Sequence, residues 1–141
     1  MINTAVSLDI LNQTSKNTMV EHLGIIYTGM GPDFISAKMP VDHRTHQPHG
    51  ILHGGASVVL AETLGSVAAN LSVDQEKYYC VGLEVNSNHV RSMKEGWVQG
   101  TAIPIHIGKT TQIWEIRINN EQQQLVNISR LTMAVLKYHK D

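Results

Sequence analysis

Hydrophobic residues recur at helical spacing in one segment of the chain and alternate with polar residues in several others. From Ala56 to Leu71 the apolar positions follow the three-and-four spacing of a helix that faces a core: Leu60, Leu64, Val67, Ala68 and Leu71. Small residues fill most of the remaining positions, which predicts a helix surrounded by other structure. We therefore expect this segment to form the centre of the fold.

Alternating patterns predict strands on both sides of this helix. Before it, residues 23–30 and 34–41 flank the turn signal Gly31-Pro32-Asp33, and residues 4–14 have the pattern of a short helix. After it, strands are predicted over residues 78–90, 96–108, 111–118 and 124–138, with turns at Gly108-Lys109 and Asn119-Asn120. This order predicts an α+β fold in which an antiparallel sheet covers one long helix.

The strand patterns also predict which side chains share a face. Trp114, Ile116 and Ile118 alternate with the charged Glu115 and Arg117, as a half-buried strand requires. Pro104 predicts either a sheet edge or a β-bulge, because proline cannot donate to a strand ladder. Two further apolar sets also alternate along their strands: Tyr79, Val81, Leu83 and Val85, and Ile103, Ile105 and Ile107.

Length, charge and cysteine content narrow the class of protein. The chain has 141 residues, which predicts a single domain over residues 1–141. Its formal charge of -1 predicts no general attraction to nucleic acid or to a membrane surface. The one cysteine, Cys80, stands in an apolar run and predicts a buried thiol in a reducing compartment. No apolar run has the length of a membrane span, and the first residues lack a secretory pattern, so we expect a cytoplasmic protein.

Glu62 is the one formally charged residue between Arg44 and Asp74, and its neighbours are small or apolar. Burying an ionised carboxylate is costly unless the group is paired, so such a residue serves either structural pairing or chemistry. Ser66 follows four residues later and shares the same helix face. Glu62 is therefore a candidate catalytic carboxylate, with structural pairing as the alternative.

Two other motifs suggest sites that the sequence does not support. Gly108-Lys109-Thr110 resembles the end of a phosphate loop, but Ile103 stands where the upstream glycine is required and no helix is predicted to follow. Four histidines at close spacing could hold zinc, but Pro48 and Gly50 prevent a helical pair of ligands: His43, His46, His49 and His53. We therefore predict no metal site.

The run of residues 41–70, followed by VGLEVNSNHVRS at residues 81–92, resembles the hotdog-fold acyl-CoA thioesterases of the 4-hydroxybenzoyl-CoA and phenylacetate thioesterase group. It is most similar to the branch that acts on 1,4-dihydroxy-2-naphthoyl-CoA in menaquinone synthesis or proofreads aryl groups on the enterobactin carrier protein. The resemblance covers almost the whole chain. It implies a sheet wrapped around one helix and hydrolysis of aromatic acyl-CoA thioesters to free acid and CoA, with neither metal nor organic cofactor.

The resemblance also implies roles for individual residues. Glu62 matches the catalytic carboxylate, which is either the nucleophile or the general base toward water. Gly55 falls where a backbone N–H at the helix start polarises the thioester carbonyl, a role that the helix dipole strengthens. Gln47 and His53 match residues that orient the thioester, and Ser66 matches one that helps to place water or the carboxylate. His49 replaces a large apolar or aromatic residue of the family, so the resemblance does not identify the acyl group of the substrate.

Binding of CoA phosphates requires local positive charge in a nearly neutral chain. The resemblance assigns these residues to CoA: Gly82, His89, Val90, Arg91, Ser92, His106, Ile107, Gly108, Lys109, Thr110 and Thr111. Two loops, with Arg91 and Lys94 in one and Lys109 in the other, are predicted to be neighbours that form a basic rim.

The resemblance further implies a homodimer with active sites shared between subunits, and a dimer of dimers (homotetramer) built from it. Two alternatives stay open. One is proofreading of mischarged aryl carrier protein, which would add that protein as a partner. The other, from a different class, is a non-catalytic acyl-CoA-binding hotdog module. A hotdog dehydratase is disfavoured, because those enzymes use a histidine and an acid at different spacing.

Overall fold

The computed structural model describes residues 1–138, and residues 139–141 of the predicted domain lie outside the described range. Three helices are formed: α1 (Leu8–Thr14), α2 (Met19–His22) and α3 (Gly54–Asn70). The strands are β1 (Ile26–Gly31), β2 (Phe34–Pro40), β3 (Tyr78–His89), β4 (Trp97–Ile107), β5 (Thr111–Asn120) and β6 (Leu125–Lys137). They form one antiparallel six-stranded sheet in the order β1-β2-β4-β5-β6-β3. The predicted α+β fold, with a sheet covering one long helix, is confirmed.

Helix α3 packs against the inner face of the sheet. Leu60, Leu64 and Ala68 are fully buried, as are Trp114 and Ile116 of β5, so the predicted stripe and alternation are confirmed there. Burial of each large side chain contributes about 1.5–3 kcal/mol. The helix approaches the sheet closely, because a Cβ atom on Gly65 would lie 2.5 Å from Cδ2 of Leu131.

The segment before β1 differs from the prediction. Helix α1 begins at Leu8, where Ser7 caps it, and the unpredicted α2 follows. Thr18 accepts a hydrogen bond from the N–H of Val20, and Glu21 accepts one from the N–H of Asn17, so both side chains satisfy amides at the start of α2. Gly24 has φ +70, a left-handed conformation that ends this helix. Strand β1 therefore begins at Ile26 and not at residue 23.

Two other element boundaries are set by local hydrogen bonds, and one strand contains a bulge. Helix α3 begins at Gly54, two residues before the predicted start, because His53 caps it. A turn at Asn119-Asn120 is wrong: the buried Asn120 pairs with Val98, and its side-chain oxygen accepts bonds from the N–H groups of Gln122 and Gln124. Pro104 lies at a bulge of the internal strand β4, so the bulge alternative is confirmed.

The two edges of the sheet are protected to different extents. On β1, both backbone groups of Tyr27 are bonded by the side chain of Asn12. On β3, the side chain of Asn70 bonds both backbone groups of Cys80, so it covers only the beginning of the strand. Beyond that point, no other described segment of the chain pairs with the edge of β3, and Leu83 is 62% exposed. An open strand edge of this length is a template for pairing with another chain.

Cys80 itself is buried, as predicted. Among the helices of residues 1–138, none has both the length and the apolar character needed to cross a membrane.

Candidate functional site

Glu62 is exposed on the open flank of α3, so the prediction of a buried carboxylate is wrong for this chain. The sheet covers one side of the helix only, and small neighbours do not imply enclosure on every side. Glu62 and Ser66 line the same cavity, as their spacing predicts. Oε1 of Glu62 also lies against β3, since a Cβ atom on Gly82 would be 2.8 Å from it.

The cavity beside Glu62 has a volume of about 530 Å³ and lies between α3 and the segment of α1 and α2. Besides the two predicted residues it is lined by Leu11, Thr14, Ser15, Thr18, Met19, Val20, Tyr27, Val59, Thr63 and Val67. Burial raises the pKa of Tyr27 to about 12, although a hydrogen bond with Ser15 partly opposes this rise. The phenol is therefore uncharged at neutral pH, and the cavity can accept an uncharged, largely apolar group.

The beginning of α3 holds two more predicted residues. The N–H of Gly55 donates to Nδ1 of His53 at 2.8 Å, which satisfies one of the amides that a helix start leaves unpaired. The predicted oxyanion donor is therefore engaged by the histidine ring in this chain. Because Nδ1 accepts, the neutral ring of His53 has its proton on Nε2.

Gln47 lies with a predicted CoA stretch in a second cavity, of about 330 Å³. This cavity is lined by Gln47, Ile51, Leu52, Gly54, Ser57, His89, Val90, Arg91, Ser92 and Val126. The side-chain oxygen of Gln47 accepts a hydrogen bond from the N–H of His49, which leaves its amide N–H groups as donors. The imidazole of His89 lies against the helix start, because a Cβ atom on Gly54 would be 2.7 Å from Nε2.

Residues 106–111, the other stretch predicted to bind CoA, are not part of the cavity that contains Gln47 and His89. Gly108 and Lys109 line a third cavity, of about 410 Å³. Asn127 of β6 pairs with His89, whereas Ala134 pairs with Thr111, so the two loops are at opposite ends of the sheet. Seven residue steps of β6 separate them by roughly 23 Å. The predicted neighbouring loops with a common basic rim are therefore wrong within one chain.

The single chain thus divides the candidate site into separate groups. His53 and Glu62 are nine positions apart on one helix, about 13 Å at 1.5 Å per residue. Side chains cannot close that distance around one carbonyl group. Sequence reasoning also missed Tyr27, Val59 and Thr63 as cavity residues, because α2 was not predicted; the capping-box sequence pattern from Thr18 to Glu21 was the available signal.

Three of the four closely spaced histidines have side-chain contacts of their own. Nε2 of His46 is 2.8 Å from the carbonyl oxygen of Lys94, and His53 caps α3. Nδ1 of His43 is 3.9 Å from Asp42, whose pKa is lowered to about 2 mainly by its hydrogen bonds with Arg44. Within residues 1–138, no three His, Cys, Asp or Glu side chains converge as metal ligands would.

Comparisons with known proteins identify the family. Residues 49–127, more than half of the chain, match the family described as Thioesterase superfamily. The proofreading thioesterase EntH of Cronobacter sakazakii is 50% identical over 131 residues, which are 93% of this chain and 95% of that protein.

Two solved thioesterase structures support the same family assignment. A mutant thioesterase from Pseudomonas aeruginosa superposes with a TM-score of 0.95 at 48% identity, over 97% of this chain and 99% of that one. A thioesterase from Haemophilus influenzae gives a TM-score of 0.94 at 45% identity, over 99% and 96%. The chain therefore belongs to the thioesterase superfamily, has the hotdog fold and is a thioester hydrolase.

Proposed function

We propose that the protein is a homodimeric hydrolase of aromatic acyl-CoA thioesters, of the 1,4-dihydroxy-2-naphthoyl-CoA type used in menaquinone synthesis. The observation that supports this most directly is the exposed Glu62 carboxylate beside a cavity of about 530 Å³. That volume is within the range of small-molecule sites, about 300–1,000 Å³. CoA thioesters are cytoplasmic substrates, and the free thiol of Cys80 fits a reducing compartment.

The open edge of β3 supports a dimer that completes the site. Within residues 1–138, no segment pairs with this edge from Gly82 to His89, and Asn70 covers it at Cys80. If two copies pair antiparallel over this whole stretch, Gly82 of one chain lies opposite His89 of the partner subunit. Glu62 is next to Gly82, and His89 is next to Gln47 and the start of α3, so the pairing unites the separated groups. The same twofold pairing brings the two basic loops together.

Catalysis then requires one rearrangement of these groups. Gln47 presents amide donors to the thioester, while the start of α3 contributes a positive dipole. The carbonyl oxygen replaces Nδ1 of His53 as the acceptor of the Gly55 N–H, and the released imidazole helps to orient the thioester. Such rearrangement on binding is common, because hydrogen bonds of unliganded active sites tighten only in the complex. Glu62 of the other subunit takes a proton from the water that attacks the carbonyl carbon, or attacks that carbon itself to give a mixed anhydride that water hydrolyses. In either route the C–S bond breaks, the leaving CoA thiolate takes up the proton lost by water, and the acyl group leaves as the free acid. Ser66 holds the water.

Mixed dimers test the shared site. His53→Ala and Glu62→Ala chains, each inactive alone, are unfolded together and refolded. One of the two sites in a mixed dimer then has both intact residues. About half the dimers are mixed at equal ratio, so recovery should approach roughly a quarter of wild-type activity. Absence of recovery, with mixed dimers verified by mass, would place both residues within one chain and refute the interface.

Free-thiol release from a panel of acyl-CoAs tests the substrate. Naphthoyl-CoA, benzoyl-CoA, phenylacetyl-CoA and straight-chain acyl-CoAs are compared, and naphthoyl-CoA should give the highest kcat/KM. Release from none of them would favour a non-catalytic acyl-CoA-binding module. Light scattering in the same buffer distinguishes the dimer from the dimer of dimers.

Proofreading is a second candidate, and the 50% identity to EntH favours it. In that reading the phosphopantetheine arm arrives on an aryl carrier protein instead of on CoA. Matched aroyl groups on CoA and on a carrier protein distinguish the two. A higher kcat/KM for the carrier-bound thioester would assign the protein to proofreading and would remove it from menaquinone synthesis.

A further inference from the structure

A closed ring of hydrogen bonds lies beside the second cavity, on the inner face of the sheet. Ser87 and Ser129 are directly opposite each other on β3 and β6, and His89 and Asn127 form the next pair on the same face. Asn127 is fully buried and Ser129 is 2% exposed. None of the roles proposed above involves Asn127 or either serine.

The hydrogen atoms of this ring can be assigned one by one. Nδ2 of Asn127 donates to Oγ of Ser87 at 2.7 Å, and Oγ of Ser129 donates to Oδ1 of Asn127 at 2.8 Å. Ser129 has only one hydroxyl hydrogen, so the 2.9 Å contact between the two serines is a bond donated by Ser87. The ring leaves one amide hydrogen of Asn127 free for another acceptor.

The remaining amide hydrogen of Asn127 determines which ring nitrogen of His89 holds the proton. Nδ2 of Asn127 is 3.0 Å from Nδ1 of the imidazole. Because the amide nitrogen can only donate, Nδ1 must accept, and the neutral ring then has its proton on Nε2. Nε2 is the nitrogen that lies against Gly54, in the cavity that also contains Gln47.

We propose that Asn127 is a positioning residue that fixes His89 as the Nε2–H tautomer, so that the ring donates a hydrogen bond toward the thioester group. This inference rests on the proposed acyl-CoA hydrolysis. The two serines act with Asn127, because they hold its amide in the orientation that presents a donor to the ring. Ordered polar networks of this kind restrict a side chain to one geometry at a site.

Nuclear magnetic resonance tests the tautomer without reference to activity. In wild-type protein with ¹⁵N-labelled histidine, at a pH where the ring is neutral, the His89 signals should show the proton on Nε2. A His89→Gln variant assigns those signals. A proton on Nδ1 in the wild type would overturn the inference, and this measurement requires no variant of Asn127 to fold.

An Asn127→Asp variant should move the proton of the neutral His89 ring from Nε2 to Nδ1. A carboxylate only accepts, so in a neutral ring it favours a proton on Nδ1 and leaves Nε2 without one; both proteins are compared at a pH where the resonances show that the ring is neutral. Loss of one hydrogen bond to the reacting group should lower kcat/KM roughly tenfold. The matched control is Asn119→Asp, which adds the same charge at a half-buried position of β5 and should leave the tautomer and the rate unchanged.

A double-mutant cycle separates positioning from general damage to the fold. Glutamine has no tautomer to fix, so Asn127→Asp should have less than a twofold effect on kcat/KM in the His89→Gln background. Losses that multiply in the double variant would overturn the inference. If the wild type hydrolyses no acyl-CoA, the proposed function fails, whereas the tautomer of the wild-type ring still decides whether Asn127 positions it.

Discussion

Replacement of Gly82 by alanine should reduce catalysis while leaving the fold intact. The new Cβ atom would lie 2.8 Å from Oε1 of Glu62, whereas ordinary contact begins at 3.4 Å. The carboxylate must therefore move by roughly 0.6 Å, and a displacement of about 1 Å typically costs a hundredfold in rate. We expect kcat to fall about tenfold.

The cost to stability should be small, because the displaced atom is the end of a flexible side chain. Alanine in place of glycine also restricts the unfolded chain, which contributes about 0.4–1 kcal/mol in favour of folding. Thermal unfolding and light scattering should therefore show a folded protein with the oligomeric state of the wild type. Gly29→Ala is the matched control, since its Cβ would meet Cε2 of Phe34 at an ordinary 3.5 Å.

The assay compares kcat and KM of the three proteins with one aroyl-CoA substrate. A reduced kcat with little change in KM indicates a displaced catalytic group, whereas a raised KM alone indicates a damaged CoA site. A Gly82→Ala enzyme with kcat within twofold of wild type would refute the placement of Glu62 at the reacting centre.

Three further predictions follow from the same site and from one ion pair. Glu62→Gln should retain CoA binding but lower kcat a hundredfold or more, and single turnover in ¹⁸O water should label the Glu62 side chain of the wild type only if the attack is covalent. Arg91→Ala or Lys109→Ala should raise KM for CoA thioesters but not for a pantetheine thioester that lacks the nucleotide. An equal loss of kcat/KM with both substrates would show that neither Arg91 nor Lys109 binds the CoA phosphates. Arg44 lowers the pKa of Asp42 to about 2, from 3.8, so this pair contributes stability above pH 3.8 that is lost as the pH falls through 2. Asp42→Asn should lower the unfolding free energy by at most about 1 kcal/mol near neutral pH, and a difference that persists undiminished well below the pKa of Asp42 would contradict this assignment.

The features that depend on local pattern could be predicted from the sequence. The stripe of Leu60, Leu64 and Ala68 and the alternation of Trp114 and Ile116 follow from the period of each element. The shared face of Glu62 and Ser66 also follows from helix geometry alone. These predictions required no knowledge of what the elements pack against.

Features that depend on tertiary contacts were missed. Whether Glu62 is buried depends on which flank of α3 the sheet covers, and composition contains no such information. The turn at Asn119-Asn120 was wrong because a buried asparagine side chain bonds backbone groups beyond it. The sequence pattern predicts that Leu83 and Val85 share a face, but this is wrong because β3 has a bulge between Gly82 and Glu84. Leu83 is 62% exposed, whereas Val85 is opposite the buried Leu131.

The dimer that we propose accounts for both the open edge of β3 and the separation of the candidate site residues within one chain. Tyr27 of β1 is bonded by Asn12, so that edge is partly covered, whereas β3 is covered only at its beginning. A strand edge with Leu83 exposed is an aggregation hazard unless a specific partner pairs with it. In the dimer that we propose, a second copy of the chain would satisfy the free backbone groups and bring Glu62 to the cavity of Gln47. The groups that one helix keeps about 13 Å apart would then meet across this edge.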